Sequence, residues 1–277
     1  MAALSLMTAC YKEDPIHSEK GEVPYKIEDS SDPAKHYIYE YNQSTGVYIL
    51  SDYSDVDYTW NVSSTSENVL SRIDESVLSD AVDYLKQVLT EVYPADFAKK
   101  YFPIKVLLAD TVYVSYNLVD EIAGYGRSYI AIGQLGKNDF PKSEETIREA
   151  RGKVSGVLWG NIIYENGLID IPDGFFSPSE DYYGQYVGDD EGSEDPDYQK
   201  NFGFWEYDPD AVYDHMLPDQ AGDVADYVRY IVTHSTEEMQ ALMKGFDTMK
   251  IKYNLLVKAI KDECGIDIQA IGDKYSK

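Results

Sequence analysis

The sequence of 277 residues is poor in basic residues. It contains 24 Lys and Arg against 50 Asp and Glu, which gives a net charge of −26. Such an excess of negative charge repels phosphate backbones and anionic lipid headgroups, and no basic cluster offsets it locally. We therefore expect neither nucleic-acid binding nor attachment to a membrane through a polybasic surface. Cationic or neutral partners are favoured instead.

Several sequence signals of common chemistries are also missing. Gly124 and Gly126 are not followed by the lysine and hydroxyl residue of a phosphate-binding loop. The Gly-x-Ser-x-Gly elbow of a serine hydrolase is absent from the sequence. No stretch reaches the roughly 18 apolar residues of a transmembrane helix. In contrast, aromatic residues make up 13% of the chain, which predicts a packed core rather than a disordered protein.

The two cysteines, Cys10 and Cys264, allow at most one disulfide and no structural zinc site. The run that ends Met7-Thr8-Ala9 before Cys10 resembles a bacterial lipobox, and Tyr11-Lys12-Glu13-Asp14 resembles the signal for surface export of Bacteroidetes lipoproteins. These resemblances imply that Cys10 is acylated and is the only membrane anchor, on the outer surface of the outer membrane. Since no basic residue precedes Cys10, we expect the true translation start to lie upstream. An ordinary N-terminal cysteine is the alternative.

The composition along the chain predicts a tether followed by one domain. Residues 1–35 are interpreted as a signal remnant and polar tether, and residues 36–277 as a single domain. The segment at about 170–214 has 14 acidic residues and one basic residue, Lys200, which predicts a long irregular insertion. Strands and helices are mixed without strict βαβ alternation, which favours an α+β fold.

Apolar alternation and turn residues predict the strands. Tyrosine-rich alternation indicates two strands at 37–41 and 46–50, arranged as a hairpin, and further strands are expected at 104–108, 111–114 and 128–132. The last three are expected to be neighbours in one sheet.

Helical spacing of apolar residues and capping residues predict the helices. One helix is expected at 68–92, stopped by Pro94, and another at about 144–165, capped by Ser143. Asp223 is expected to start a third helix. Ser235-Thr236-Glu237-Glu238 has the form of a capping box for one last long helix that ends at Gly265.

Residues that could bind metal or perform catalysis are scattered. The histidines have no helical ligand spacing; His234 is interpreted as a helix-end residue, and the role of His215 stays open. The acidic run 189–197 could bind calcium, although it lacks the EF-hand spacing and a solvated acidic loop is the preferred interpretation. Carboxylate pairs of a glycosidase could be drawn from several residues, so that signal is not specific. These are Glu165, Asp170, Asp173, Asp181 and Asp226.

Several segments, in their order and spacing, resemble one family: the zinc-metallopeptidase lipoproteins associated with starch-utilisation-type uptake systems of Bacteroidetes. The resemblance covers most of the chain from His36 onward. It implies a zincin-like α+β domain, with a small mixed sheet and several long helices, beside an outer-membrane nutrient-uptake complex. The matching segments are the lipobox, Tyr58-Thr59-Trp60-Asn61, Lys100-Tyr101-Phe102-Pro103-Ile104, Phe175-Phe176-Ser177, Tyr182-Tyr183-Gly184, Phe202-Gly203-Phe204 and Cys264-Gly265-Ile266-Asp267-Ile268.

The zinc motif implied by this resemblance is missing. The helix at 144–165 would hold His-Glu-x-x-His, in which two histidines bind zinc and the glutamate activates water. Trp159 and Ile163 stand at the histidine positions and Gly160 at the glutamate position, in the stretch Trp159-Gly160-Asn161-Ile162-Ile163. No shift of the alignment restores the motif, because no histidine lies between His36 and His215. We therefore expect no zinc, and we expect Trp159 and Ile163 to pack in the core.

Three functional hypotheses follow. The first is a non-catalytic accessory or binding protein in which four aromatic residues line a remaining cleft for a peptide or glycan: Trp159, Tyr164, Tyr183 and Trp205. The second is an active hydrolase with a carboxylate or metal site that includes Glu165, Asp226 and His215. The third is a structural lipoprotein whose acidic segment binds another protein.

Overall fold

The computed structural model describes residues 25–59, 68–114, 119–137, 140–141, 143–209, 211 and 213–275. Cys10 and the predicted lipobox lie outside these residues. The described chain forms ten α-helices: α1 (Pro33–Thr45), α2 (Asp55–Thr59), α3 (Leu78–Leu85), α4 (Ala95–Tyr101), α5 (Glu144–Gly156), α6 (Asp173–Phe176), α7 (Gln220–Thr233), α8 (Thr236–Leu242), α9 (Asp247–Cys264) and α10 (Ile268–Tyr275). Five strands are also described: β1 (Tyr48–Leu50), β2 (Val69–Arg72), β3 (Lys105–Tyr113), β4 (Ala123–Gly126) and β5 (Tyr129–Ile132).

The strands form a small mixed sheet, as the sequence predicts. Its main order is β1-β3-β5-β4, and β2 pairs with β3 outside this path. Strands β1, β3 and β5 are parallel, whereas β4 runs antiparallel to β5 at one edge. Strand β2 pairs antiparallel with the second half of β3. The segments predicted as two strands at 104–108 and 111–114 are one continuous strand.

Both faces of the sheet are covered. Along β3, Val106 and Leu108 belong to the main core with the helices, whereas Leu107 and Ala109 belong to a second cluster on the other face. This alternation follows from the two-residue period of a strand. The sheet is therefore buried on both sides, which is typical of strands that pair in parallel.

Local capping residues set several helix ends where the sequence predicts them. The side chain of Ser143 accepts a hydrogen bond from the backbone N–H of Thr146 at the start of α5. Ser235 and Glu238 form the predicted capping box of α8. Gly265 has φ +70° and ends α9, because a left-handed residue satisfies the last free carbonyls of a helix.

The predicted strand at 37–41 and the predicted hairpin are wrong. Asp32 caps helix α1 through the N–H groups of Ala34 and Lys35, with Pro33 in the first turn. Buried residues then recur at helical intervals within the tyrosine-rich stretch. The alternation of tyrosines at 37–41 therefore does not match the pattern of buried side chains, which is helical.

Two predicted long helices are also shorter than expected. Residues Val69–Arg72 form β2, Asp74 caps the 3₁₀ turn Glu75–Val77, and α3 begins only at Leu78. The last helix is divided into α8 and α9 around Gly245, which has φ +95°. Residues 86–90, which continue α3, and 157–164, which continue α5, are π-helical. Asp219, rather than Asp223, caps α7.

The acidic segment at about 170–214 is irregular, as predicted. It contains the short helix α6, two 3₁₀ segments and several turns. Within the described residues, no helix has the length and apolarity needed to cross a membrane.

Candidate functional site

A cleft of about 520 Å³ lies between the edge strand β4, the long helix that begins with α5, and α7. We call it the β4–α7 cleft. Its volume lies within the usual range for ligand pockets. Its lining includes Glu121, Ala123 and Tyr125 from β4 and the residues before it, Lys153, Val157 and Asn161 from the α5 helix, and Asp219, Asp226 and Arg229 from the start and body of α7.

The α5 helix presents one face to this cleft and the opposite face to the core. Lys153, Val157 and Asn161 are spaced four residues apart and line the cleft. The Asn161 amide nitrogen donates a hydrogen bond to the Tyr125 hydroxyl, at 3.2 Å. Positions 157 and 161, rather than 159 and 163, are therefore the pair of this helix that faces the cleft.

Trp159 and Ile163 lie in the core, as predicted. Both are 0% exposed. The indole N–H of Trp159 donates to the Tyr93 hydroxyl at 3.1 Å, and its ring stacks on Phe97 with centroids 5.2 Å apart. The prediction that these two residues pack in the core is confirmed, but they do not occupy the face on which a ligand could bind.

Three glycines allow the α5 helix to lie directly against α7. Gly152, Gly156 and Gly160 are four residues apart and pack on α7. A Cβ at Gly156 would lie 2.9 Å from the carbonyl oxygen of Ala225, and one at Gly160 would lie 2.7 Å from the Ala225 Cβ. Gly160 is therefore explained by helix packing rather than by a lost catalytic group.

The α5-helix residues that face the cleft do not fit a zinc ion. Zinc in peptidases is held by histidine, cysteine and carboxylate ligands, and the α5 helix offers an amine, an aliphatic side chain and an amide. In the part of the chain that the structure describes, no group of three or more His, Cys, Asp or Glu residues is placed to hold a metal ion. Calcium binding by the 189–197 loop stays a prediction.

A charged cluster forms the α7 wall of the cleft. Arg229 Nη2 lies 2.6 Å from Glu206 Oε1 and 3.2 Å from Asp226 Oδ1. Tyr230 also donates a hydrogen bond to Glu206, at 2.8 Å. Burial raises the pKa of Asp226 to about 7, although Arg229 partly opposes the shift. The Arg229 guanidinium thus pairs with both Glu206 and Asp226, and its distance to Asp226 is the longer of the two.

The four aromatic residues predicted to bind a ligand do not line this cleft. Trp159 and Trp205 are buried, and Trp205 stacks on Tyr230 with centroids 4.2 Å apart. Tyr164 donates to the Gln220 side chain at 2.9 Å, and Tyr183 donates to Asp223 at 2.6 Å. A ligand-binding role for the four stays a prediction.

The hydrolase hypothesis named three residues, of which only Asp226 lines the β4–α7 cleft. Glu165 is exposed at the end of the π-helical segment. His215 lies in the acidic segment with φ +66°, and its ring contacts Tyr207. The fold therefore does not gather these three groups around the cleft.

A buried ion pair fastens the acidic segment to the helices. Lys252 Nζ lies 2.7 Å from Asp223 Oδ2 and 3.0 Å from Ser179 Oγ, and neither charged side chain is more than 1% exposed. The lysine ammonium is surrounded by the rings of Phe175, Tyr183, Phe204 and Tyr227. Burial lowers the pKa of Lys252, whereas Asp223 favours its charged form.

Of the residues that line the cleft, sequence reasoning named Asp226 as a candidate and missed the others, including Lys153 and Asn161 on the α5 helix. The four-residue spacing of Gly152, Gly156 and Gly160 was a usable signal, because small residues at this spacing indicate close helix packing. The three glycines mark the side of the helix that packs on α7. The face next to that side borders the cleft.

Comparisons with known proteins support the fold. No protein-family profile matches the sequence, and no curated protein matches it. Among solved structures, a protein from Bacteroides caccae described as a "putative zinc-binding metallo-peptidase" is similar to this chain, with a TM-score of 0.57 and 14% identity. The match covers 91% of this chain and 94% of the other. The chain therefore shares a mixed α and β fold with a protein that bears a metallopeptidase name.

Proposed function

We propose that this protein is a non-catalytic, peptide-binding lipoprotein with a zincin-like fold. The observation that carries the proposal is the chemistry of the helix that faces the cleft. Its cleft-facing side chains are Lys153, Val157 and Asn161. None of these three side chains is a histidine, which is the zinc ligand that a peptidase helix provides. The fold supplies a cleft, and the residues along it suit binding rather than metal-dependent hydrolysis.

The edge position of β4 favours an extended peptide over a glycan. Among the described residues, β4 pairs with β5 on one side and with no strand on the other, although the Tyr125 carbonyl of β4 already accepts a hydrogen bond from the Asn68 side chain at 2.8 Å. An extended peptide can add to such an edge through its main chain and place alternate side chains in pockets. Glycan sites usually offer aromatic faces, whereas Trp159 and Trp205 have their faces buried in the core.

Anchoring through Cys10 and a place beside an outer-membrane uptake complex complete the proposal. The anchor rests on the lipobox-like residues before Cys10 and on the export-like signal after it, and the place beside an uptake complex rests on the family resemblance of the sequence. In this arrangement the lipid holds the domain at the cell surface, and the cleft captures peptides for the complex.

The first experiment measures the metal content of tag-free protein by mass spectrometry after dialysis against zinc. We expect far less than one zinc per chain and no cleavage of fluorogenic peptides. Stoichiometric zinc together with peptide cleavage would contradict the non-catalytic assignment. The tag must be removed, because a histidine tag binds zinc itself.

A second experiment tests the binding site. Val157 lines the cleft, and Val157→Tyr should fill part of it and weaken binding of a pool of extended heptapeptides. Ile251→Tyr is the matched control, since Ile251 is exposed on α9, outside the cleft lining. Equal binding by the two variants would show that peptides do not occupy this cleft.

A further inference from the structure

The charges on the α7 wall of the β4–α7 cleft find their partners within the protein. Arg229 lies 2.6 Å from Glu206 and 3.2 Å from Asp226. Asp219 caps α7 and accepts a hydrogen bond from the Gly222 N–H at 2.8 Å. This wall therefore does not require a charged side chain on the ligand.

The other polar residues of the lining do not favour a charged ligand either. Asp208 has a partner of its own, and the remaining two charged residues, Lys153 and Glu121, have opposite signs. The uncharged polar side chains, Tyr125 and Asn161, are hydrogen-bonded to each other at 3.2 Å. A charged ligand side chain would attract one of Lys153 and Glu121 and repel the other, while it loses part of its hydration.

The rest of the cleft lining is apolar and comes from several elements. Val119 precedes β4 and is 56% exposed, and Ala123 lies in β4. Val157 lies on the α5 helix and Ala225 on α7. A ligand side chain that covers these residues removes apolar surface from water, which is favourable when that side chain is apolar as well.

We propose that the β4–α7 cleft selects peptides by an apolar side chain that packs against Val119 and Val157. This selectivity rests on the proposed peptide-binding function and adds to it the chemical class of the recognised side chain. Alternate residues of a strand point to the same side, and Ala123 and Tyr125 both line the cleft. A peptide beside β4 likewise directs every second side chain into the cleft.

The test compares two fluorescein-labelled heptapeptide pools by anisotropy. Both have random Ala, Ser, Thr or Gln at six positions. The central residue is Leu in one pool and Asn, which is uncharged and of similar size, in the other. We expect the full chain to bind the Leu pool at least about fivefold more tightly. This preference should be the same at low and at high salt, because salt screens charges and not apolar contacts.

A pair of matched variants identifies the surface that is responsible. Val157→Thr keeps the shape of the side chain and places a hydroxyl in the cleft, so the preference for the Leu pool should fall below about twofold. Val56→Thr makes the same change at an exposed residue of α2, outside the cleft lining, and should keep the preference. If Val157→Thr unfolds at the assay temperature, Val119→Thr replaces it, with a loss of preference in the same direction.

Equal binding of both pools by the natural protein would overturn the apolar selectivity while leaving peptide binding intact. Retention of the full preference in the folded cleft variant, or its disappearance at high salt, would also overturn it. Failure of both pools to bind would overturn the proposed function together with this inference.

Discussion

A Cβ atom placed on Gly160 would lie 2.7 Å from the Cβ of Ala225 and would also clash with the carbonyl oxygen of Ala221. These contacts bring the α5 helix and α7 as close together as their backbones allow. Any larger side chain at position 160 must push the two helices apart.

Gly160→Ala should therefore destabilise the fold, by about 2 kcal/mol or more, because the contact is with backbone atoms that cannot rotate away. Urea unfolding followed by circular dichroism measures the loss. Gly174→Ala is the matched control: its new Cβ would meet only the end of the Leu255 side chain, at 3.2 Å. Equal stability of the two variants would show that the close helix contact is not required.

Lys252→Met should cost about 3–5 kcal/mol of unfolding free energy, since it leaves the Asp223 carboxylate buried without its counter-charge. The double variant Lys252→Met with Asp223→Asn removes both charges and keeps an acceptor for the Tyr183 hydroxyl. We expect it to recover most of the loss. If the double variant is no more stable than the single one, charge pairing does not account for the effect.

Asp226 should make the fold less stable as the pH rises from about 4 to about 7. Burial raises its pKa from an ordinary value near 4 to about 7, so the folded protein holds this proton more tightly than the unfolded chain does. The contribution of the protonated Asp226 to the free energy of unfolding is therefore fully present at low pH and is lost by neutral pH. Asp226→Asn should be more stable than the natural protein at pH 8, by at most about 4 kcal/mol.

Urea unfolding of both proteins at several pH values between 4 and 8 measures this difference. Near pH 4 the two should have the same stability, because the natural side chain is then neutral as well. Asp189→Asn serves as the reference for a loss of one surface charge. A stability difference that does not change with pH would mean that Asp226 titrates normally.

Cys10→Ala should release the protein from the outer membrane, since we expect the lipid on Cys10 to be its only anchor. Membrane and soluble fractions of cells that produce each variant report the outcome. Cys264→Ala removes the other cysteine, at the end of α9, and should leave the distribution unchanged. Membrane retention of Cys10→Ala would contradict acylation at this position.

The parts of the fold that local chemistry controls could be predicted from the sequence. Ser143, Ser235 and Gly265 set helix ends through backbone hydrogen bonds within a few residues, and all three were predicted. Leu70 matched a helical spacing by coincidence, because pairing with the distant strand β3 decides its conformation. Gly245 divides the last helices, although its sequence context looks helical.

The site could be predicted only in part. The burial of Trp159 and Ile163 followed from their apolar character, and the missing histidines followed from composition. Which face of the helix borders the cleft depends on how closely α5 meets α7. That contact joins residues about 65 positions apart in the sequence, such as Gly160 and Ala225. Periodicity within one helix cannot reveal such a neighbour.

The buried pair of Lys252 and Asp223 has a consequence for the order of synthesis. Lys252 is made 73 residues after Ser179 and 29 after Asp223, the two groups that it bonds. A nascent chain that ends before α9 has Asp223 without its cation, so the acidic segment cannot settle on α7. The domain should therefore resist proteases only after its C-terminal helices have left the ribosome, and chains truncated before α9 should be degraded.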